Sequence, residues 1–194
     1  MGKGSSFERK ICKRLSKWWT DGKRDDIFWR SSQSGGRATQ RAKKGQRTFG
    51  SYGDITAVDP VGQPLMRMFT IELKRGRSHG SPGDLLDPLP PKGKKPPPFE
   101  AALLQAMRGR EESGSVGWML ICQRDRRVAM VYLDWDSSFQ FRHWWQGERA
   151  FFSTFRVQLY HPPSRLRFLA MPLEAFLACA VPSDVVAACK RLEC

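Results

Sequence analysis

The segments Gly53-Asp54-Ile55-Thr56-Ala57-Val58 and Phe69-Thr70-Ile71-Glu72-Leu73-Lys74 decide how this chain is read. Both read as short alternating β-like runs. Side chains two apart on a strand share a face. Glu72 and Lys74 therefore project together, while Ile71 and Leu73 face the other way. If the two runs pair as a hairpin around Pro60-Val61-Gly62-Gln63-Pro64, Asp54 comes beside them. Two carboxylates and an amine would then share one sheet edge. The competing account is a solvated charge pair on an ordinary hairpin, because a Glu-x-Lys triplet arises by chance in most proteins.

Working outward, 194 residues make one domain, or one domain with a sizeable appendage. Hydrophobic residues make up 40%, enough for a normal core. A net charge of +14, from 33 basic and 19 acidic side chains, predicts a polyanionic partner and salt-sensitive binding. Nucleic acid is favoured over a membrane, since no run approaches the roughly 18 apolar residues of a spanning helix. The segment Met1-Gly2-Lys3-Gly4-Ser5-Ser6 carries no apolar signal region, which reads as a cytoplasmic protein.

The five cysteines (Cys12, Cys122, Cys179, Cys189 and Cys194) are odd in number and widely spaced, without a Cys-x-x-Cys pair. Reduced thiols fit better than a disulfide framework or a zinc site. His79, His143 and His161 show no ligand spacing either. Carboxylates and Mg²⁺, with Mn²⁺ as a substitute, remain as the chemistry to expect. Asp54 and Glu72 would hold such a hard cation. The cation polarises a phosphodiester and acidifies water. Lys74 would position that water or steady developing charge.

Upstream, Ser5 to Trp19 reads as an amphipathic helix, with Phe7, Ile11, Leu15 and Trp18 or Trp19 on one stripe and Arg9, Lys10, Lys13, Arg14 and Lys17 opposite. Ser5-x-x-Glu8 has the form of a capping box, so Glu8 has two readings, a cap or an acid facing the site. Downstream, Phe99 to Glu112 reads as a helix, Gly117 to Cys122 as a buried strand and Arg127 to Leu133 as the next strand. Gln105 reads as a surface residue of that helix rather than one facing the site. Ser137 to Gln146 reads as an aromatic-rich helix, Phe155–Tyr160 and Leu166–Met171 as a hairpin, and Leu173–Ala180 and Ser183–Leu192 as closing helices. The aromatics Phe139, Phe141, Trp144 and Trp145 read as core or interface rather than as a base-stacking platform beside Arg142, Arg149 and Arg156. Asp134 and Asp136 read as helix N-terminal acids rather than metal ligands.

Four motifs then fall in order: Gly4-Ser5-Ser6-Phe7-Glu8-Arg9, Trp29-Arg30-Ser31-Ser32-Gln33-Ser34-Gly35-Gly36, Gly53-Asp54-Ile55 and Ile71-Glu72-Leu73-Lys74. The Asp…Glu-x-Lys arrangement resembles the PD-(D/E)XK nuclease superfamily, and the set over residues 3 to 75 most resembles archaeal-type Holliday junction resolvases. The resemblance implies an α/β fold: a restriction-endonuclease-like core with a mixed central β-sheet flanked by helices, plus a C-terminal α/β extension. It implies Mg²⁺-dependent, structure-selective cleavage of branched or junction DNA to 5′-phosphates by a homodimer. Glu8, Asp54, Glu72 and Lys74 become the catalytic set, the three acids its metal ligands, and Arg30 and Ser34 contacts to DNA.

Two departures stand out. Gly53 replaces the family's frequent proline, and the connection before Asp54 is longer. The basic insertions at 37–52 (Arg37, Arg41, Lys43, Lys44 and Arg47) and 75–98 (Arg75 and Arg77, then a proline-rich run) read as DNA-following arms rather than as solvated loops. They leave room for a restriction, repair or phage DNA-processing nuclease with the same site. A DNA-binding module without turnover would also explain the charge. The nuclease core would span 1–134, with 135–194 an extension packed on it and a candidate dimer interface.

Overall fold

Helix α1 (Lys3–Trp19) lays Phe7, Ile11, Leu15 and Trp19 into the core as a single stripe. These contacts come from a computed structural model describing residues 3–31, 52–86, 95–138, 140, 141, 144, 152–161 and 163–192. Buried Ser16 accepts the Phe28 N–H at 2.9 Å and donates to the Cys12 carbonyl at 2.9 Å. That hydroxyl ties α1 to strand β1 (Phe28–Arg30), which pairs antiparallel with β2 (Ile55–Ala57).

The expected hairpin between the two signature runs does not form. The Asp59 carboxylate accepts the Val61 N–H at 3.0 Å, and Pro60 and Pro64 stand in first-turn positions that suit a ring without an N–H. Residues Pro60–Gly62 therefore make a 3₁₀ turn, and α2 (Gln63–Met68) carries the chain into β3 (Phe69–Arg75). β2 ladders with β1 instead of β3.

The main sheet has five strands in the order β3-β4-β5-β7-β6, adding β4 (Gly117–Gln123), β5 (Met130–Asp134), β6 (Ser153–Tyr160) and β7 (Pro163–Pro172). Strands β3 and β4 are parallel and the other pairs antiparallel. A parallel pair needs a long crossover. Helix α4 (Pro98–Ser113) lies within it, following the short α3 (Gly83–Leu86). That turn of helix corrects the expectation of an unbroken loop over 81–98: the stretch 83–86 is free of proline, and Leu85 is buried with Phe99.

Alternation splits the core into two layers. Ile71, Leu73, Met119, Ile121, Leu169 and Met171 face α1. Trp118, Leu120, Tyr132, Phe168 and Ala170 face α4. Helices α6 (Leu173–Cys179) and α7 (Pro182–Leu192) add Phe176, Val185 and Ala188 to the α1 side. The fold is thus α/β, a mixed sheet with helices on both faces.

The bounds of two elements differ from the sequence reading. β5 starts at Met130, because residues 124–127 form a turn in which Arg127 N–H bonds the Arg124 carbonyl at 3.2 Å. α5 is Trp135–Ser138, starting two residues earlier than read, capped by the Asp134 carboxylate on the Ser137 N–H at 3.0 Å. That capping role is the one expected of Asp134. Phe141 and Trp144 are buried and stacked at 4.2 Å, so these two aromatics are core. Phe139, Arg142, Trp145 and Arg149 lie outside the described residues.

Candidate active site

Gly53 sits at φ 73°, and a Cβ there would stand 2.5 Å from the Ile71 carbonyl oxygen. Only glycine permits both the left-handed backbone and this approach. The approach lets the next residue dock on β3. Asp54 N–H bonds the Ile71 carbonyl at 2.8 Å, and Asp54 Oδ2 accepts the Leu73 N–H at 2.8 Å. From the other side Ser31 N–H bonds the Asp54 carbonyl at 2.9 Å, and Ser31 Oγ bonds the Gly53 carbonyl at 2.8 Å. Asp54 reaches Glu72 and Lys74 as expected, but by a sharp turn rather than a ladder.

Glu72 is buried, at 3% exposure. Its Oε1 accepts from Lys74 Nζ at 2.9 Å and from Gln105 Nε2. Lys74 Nζ also donates to Gln105 Oε1 at 2.8 Å. One amide therefore grips the carboxylate with its NH₂ and the ammonium with its oxygen. Gln105 is at the surface, as read from the sequence, and its amide is also turned onto the site. The overlooked signal lies one helical turn later. A Cβ on Gly109 would meet Thr70 Cγ2 at 2.9 Å, so α4 can approach β3 only because that position is glycine. The seam is closed by Thr70 Oγ1, 2.6 Å from Ser113 Oγ and 2.8 Å from Ser115 Oγ.

Burial raises the pKa of Glu72 to about 7, with the neighbouring Asp54 charge adding and Lys74 opposing. Burial raises Asp54 too, against the Leu73 N–H and Lys74. Burial and the neighbouring charge together make this pair reluctant to ionise fully. A buried pair of carboxyls held this way fits a hard divalent cation. Two protein oxygens would leave its other positions to water and phosphate, as Mg²⁺ prefers.

Glu8 faces this pair from α1, and its charge adds to the rise at Asp54. Its carboxylate is held by Arg30 Nε. It is not a capping-box glutamate, since α1 begins at Lys3 and Ser5 lies inside the helix. Among the described residues no group of three or more His, Cys, Asp or Glu is gathered to hold a metal, so Glu8 stands beside the pair rather than in one cage with it.

Arg75 turns away from the acids, donating to the Gln123 and Arg124 carbonyls at 3.3 and 3.2 Å and lying 3.4 Å from Asp125. Arg77 is exposed just beyond it. Ser34, Arg37, Arg41, Lys43, Lys44 and Arg47 lie outside the described residues.

A family model described as "Phage putative PDDEXK endonuclease" matches residues 1–178. The chain belongs to this family. No curated protein and no solved structure matches it. Membership places the chain in the PD-(D/E)XK superfamily and identifies its α/β sheet as restriction-endonuclease-like. No described helix of this endonuclease-family chain is long and apolar enough to cross a membrane.

Proposed function

We propose that this family member is a Mg²⁺-dependent DNA endonuclease of the phage DNA-processing kind, hydrolysing phosphodiesters to leave 5′-phosphates. The observation that carries the reading is the convergence of Asp54, Glu72, Lys74 and Gln105 at β3, with both carboxyls pushed upward in pKa. Asp54 and Glu72 would hold the cation. When bound, it supplies Lewis-acid polarisation of the phosphate and acidifies the attacking water. Lys74 keeps its ammonium beside Glu72 and orients that water or stabilises the developing oxyanion. Gln105 fixes the separation of Glu72 and Lys74. Carboxylates set against a polyanion cost binding unless a cation lies between them. That cost argues against a module that only binds DNA.

Within this reading, selectivity for branched DNA rests on the order of the motifs around Glu8, Arg30–Ser34, Asp54 and Glu72–Lys74. Resolution of a junction would need two symmetric cuts, and hence a homodimer. The test is cleavage of a labelled four-way junction and a matched linear duplex with Mg²⁺, for wild type and Glu72→Ala. Symmetric nicks in the junction alone, lost in the variant, establish junction resolution. Equal cutting of both substrates keeps the nuclease and discards the resolvase. A folded protein that binds DNA and cuts neither refutes turnover.

A further inference from the structure

Past the carboxylates, where β3 and β4 end side by side, lies an open cleft of about 580 Å³ lined by Arg77, Arg124, Arg126 and Arg127 together with Asp84 and Asp125. The acids are already engaged. Asp84 Oδ2 accepts the Ser81 N–H at 2.7 Å, and Asp125 lies 3.4 Å from Arg75. The arginines are all exposed, and none has a carboxylate partner among the described residues.

Their backbone scaffold is fixed by hydrogen bonds between the two strand ends. Gly76 N–H bonds the Gln123 carbonyl at 3.0 Å, and the Gln123 amide donates to the Arg127 carbonyl at 2.8 Å. Arg75 spans both strand ends through the Gln123 and Arg124 carbonyls. Arg126 sits at φ 58°, a left-handed conformation that a long side chain adopts only against steric cost. A guanidinium is thus kept where a turn would take glycine or asparagine more readily.

We propose that this cleft is a phosphate-backbone site that holds DNA in register with the cut, a role that rests on the nuclease reading above. Guanidinium groups pair with phosphate oxygens through a planar fork, and several at one cleft without carboxylate partners suit a run of phosphodiesters. Lys74 stands opposite Cys122 in the β3–β4 ladder, and Arg124 follows two residues after Cys122. At about 3.3 Å per strand residue the cleft begins roughly 7 Å along the strand from Lys74. One strand of a duplex advances about 3.4 Å per nucleotide, so the contacted phosphates begin about two nucleotides from the scissile one. The contact is to backbone alone and adds affinity without base preference.

The experiment compares wild type with the double variant Arg124→Ala/Arg126→Ala, binding a labelled duplex and a four-way junction in Ca²⁺ across a salt series. A matching duplex carries a neutral methylphosphonate about two linkages from the mapped cut. The variant should melt like wild type, bind both DNAs about tenfold more weakly, and show a log–log salt slope shallower by roughly 1.8. The neutral linkage should weaken wild type and leave the variant unaffected. A folded variant with wild-type affinity and slope overturns the cleft, and continued cutting by wild type then leaves the nuclease reading intact. A variant that loses affinity while wild type never cuts supports the cleft and refutes turnover. Wild type that binds neither DNA overturns both.

Discussion

Gln105 touches Glu72 and Lys74 through opposite ends of one amide, so removing it frees two catalytic candidates at once. Gln105→Ala should leave the melting temperature nearly unchanged, because the residue is exposed, and slow single-turnover cleavage by about 10- to 100-fold through misplacement. Wild-type rates in a folded Gln105→Ala protein would sink the positioning role. Glu72 offers a different readout. Its pKa rises on folding from the ordinary 4.5 to about 7, so the folded chain keeps a proton that the unfolded chain has released. Its contribution to stability is full below the unfolded value and is lost as pH rises through about 7. The metal-free protein should therefore lose stability between those limits, and Glu72→Gln should flatten that loss. Mg²⁺ should raise the melting temperature more at pH 8 than at pH 5, and Glu72→Gln should abolish the difference. Melts across pH with and without Mg²⁺ check both outcomes.

At the scale of elements, the site depends on the turn before β2 more than on any strand ladder. Gly53→Ala forces a side chain into a left-handed backbone, at about 1–2 kcal/mol, and puts its Cβ against the Ile71 carbonyl. Asp54 would then lose its seat on β3. A lower melting temperature together with weaker Mg²⁺-induced stabilisation is expected, and loss of stability without loss of the metal response would separate the turn from the site. Elements with one apolar face, and β4 with both faces apolar, were legible in the sequence: α1, α4, β4, the β6–β7 hairpin and both closing helices have close to their expected bounds. Their periodicity reports burial directly. The route from Asp54 to Glu72 was not legible, because Pro60 and Pro64 suit a hairpin turn and a helix start equally well. Packing of Gly62 and Leu65 decides it. The site-facing role of Gln105 was weighed and set second for a related reason. An exposed polar residue on an amphipathic helix carries no periodic signal, and the clue, Gly109, speaks of contact distance rather than hydrophobicity.

For the whole molecule, the sheet does not stop at residue 134, the expected end of the nuclease core. Pairing of β7 with β5 runs from Met130 opposite Pro172 to Asp134 opposite Phe168. Phe168, Leu169, Met171, Phe176 and Val185 come from beyond residue 134 and are buried in the same two core layers as α1 and α4. At about 1.5–3 kcal/mol for each large apolar side chain, these five alone carry roughly 10 kcal/mol, as much as the whole net stability of a typical domain. A second dependence runs through Glu100, which is fully buried on the helix that carries Gln105. Its Oε1 accepts the N–H groups of Tyr160 and His161 at 2.8 and 2.6 Å. Without the hairpin that carboxylate would lose both donors inside an apolar layer. A chain ending at Asp134 would also expose the unpaired edge of β5. We therefore expect residues 1–134 alone to show no cooperative melt and to aggregate, whereas Glu100→Gln in the full chain should fold with a melting temperature several degrees lower. Circular dichroism melts of the two proteins decide the matter. A cooperative transition in the truncated chain would make 135–194 a true appendage. Its absence would make the last two strands part of the structure that seats Gln105 against Glu72.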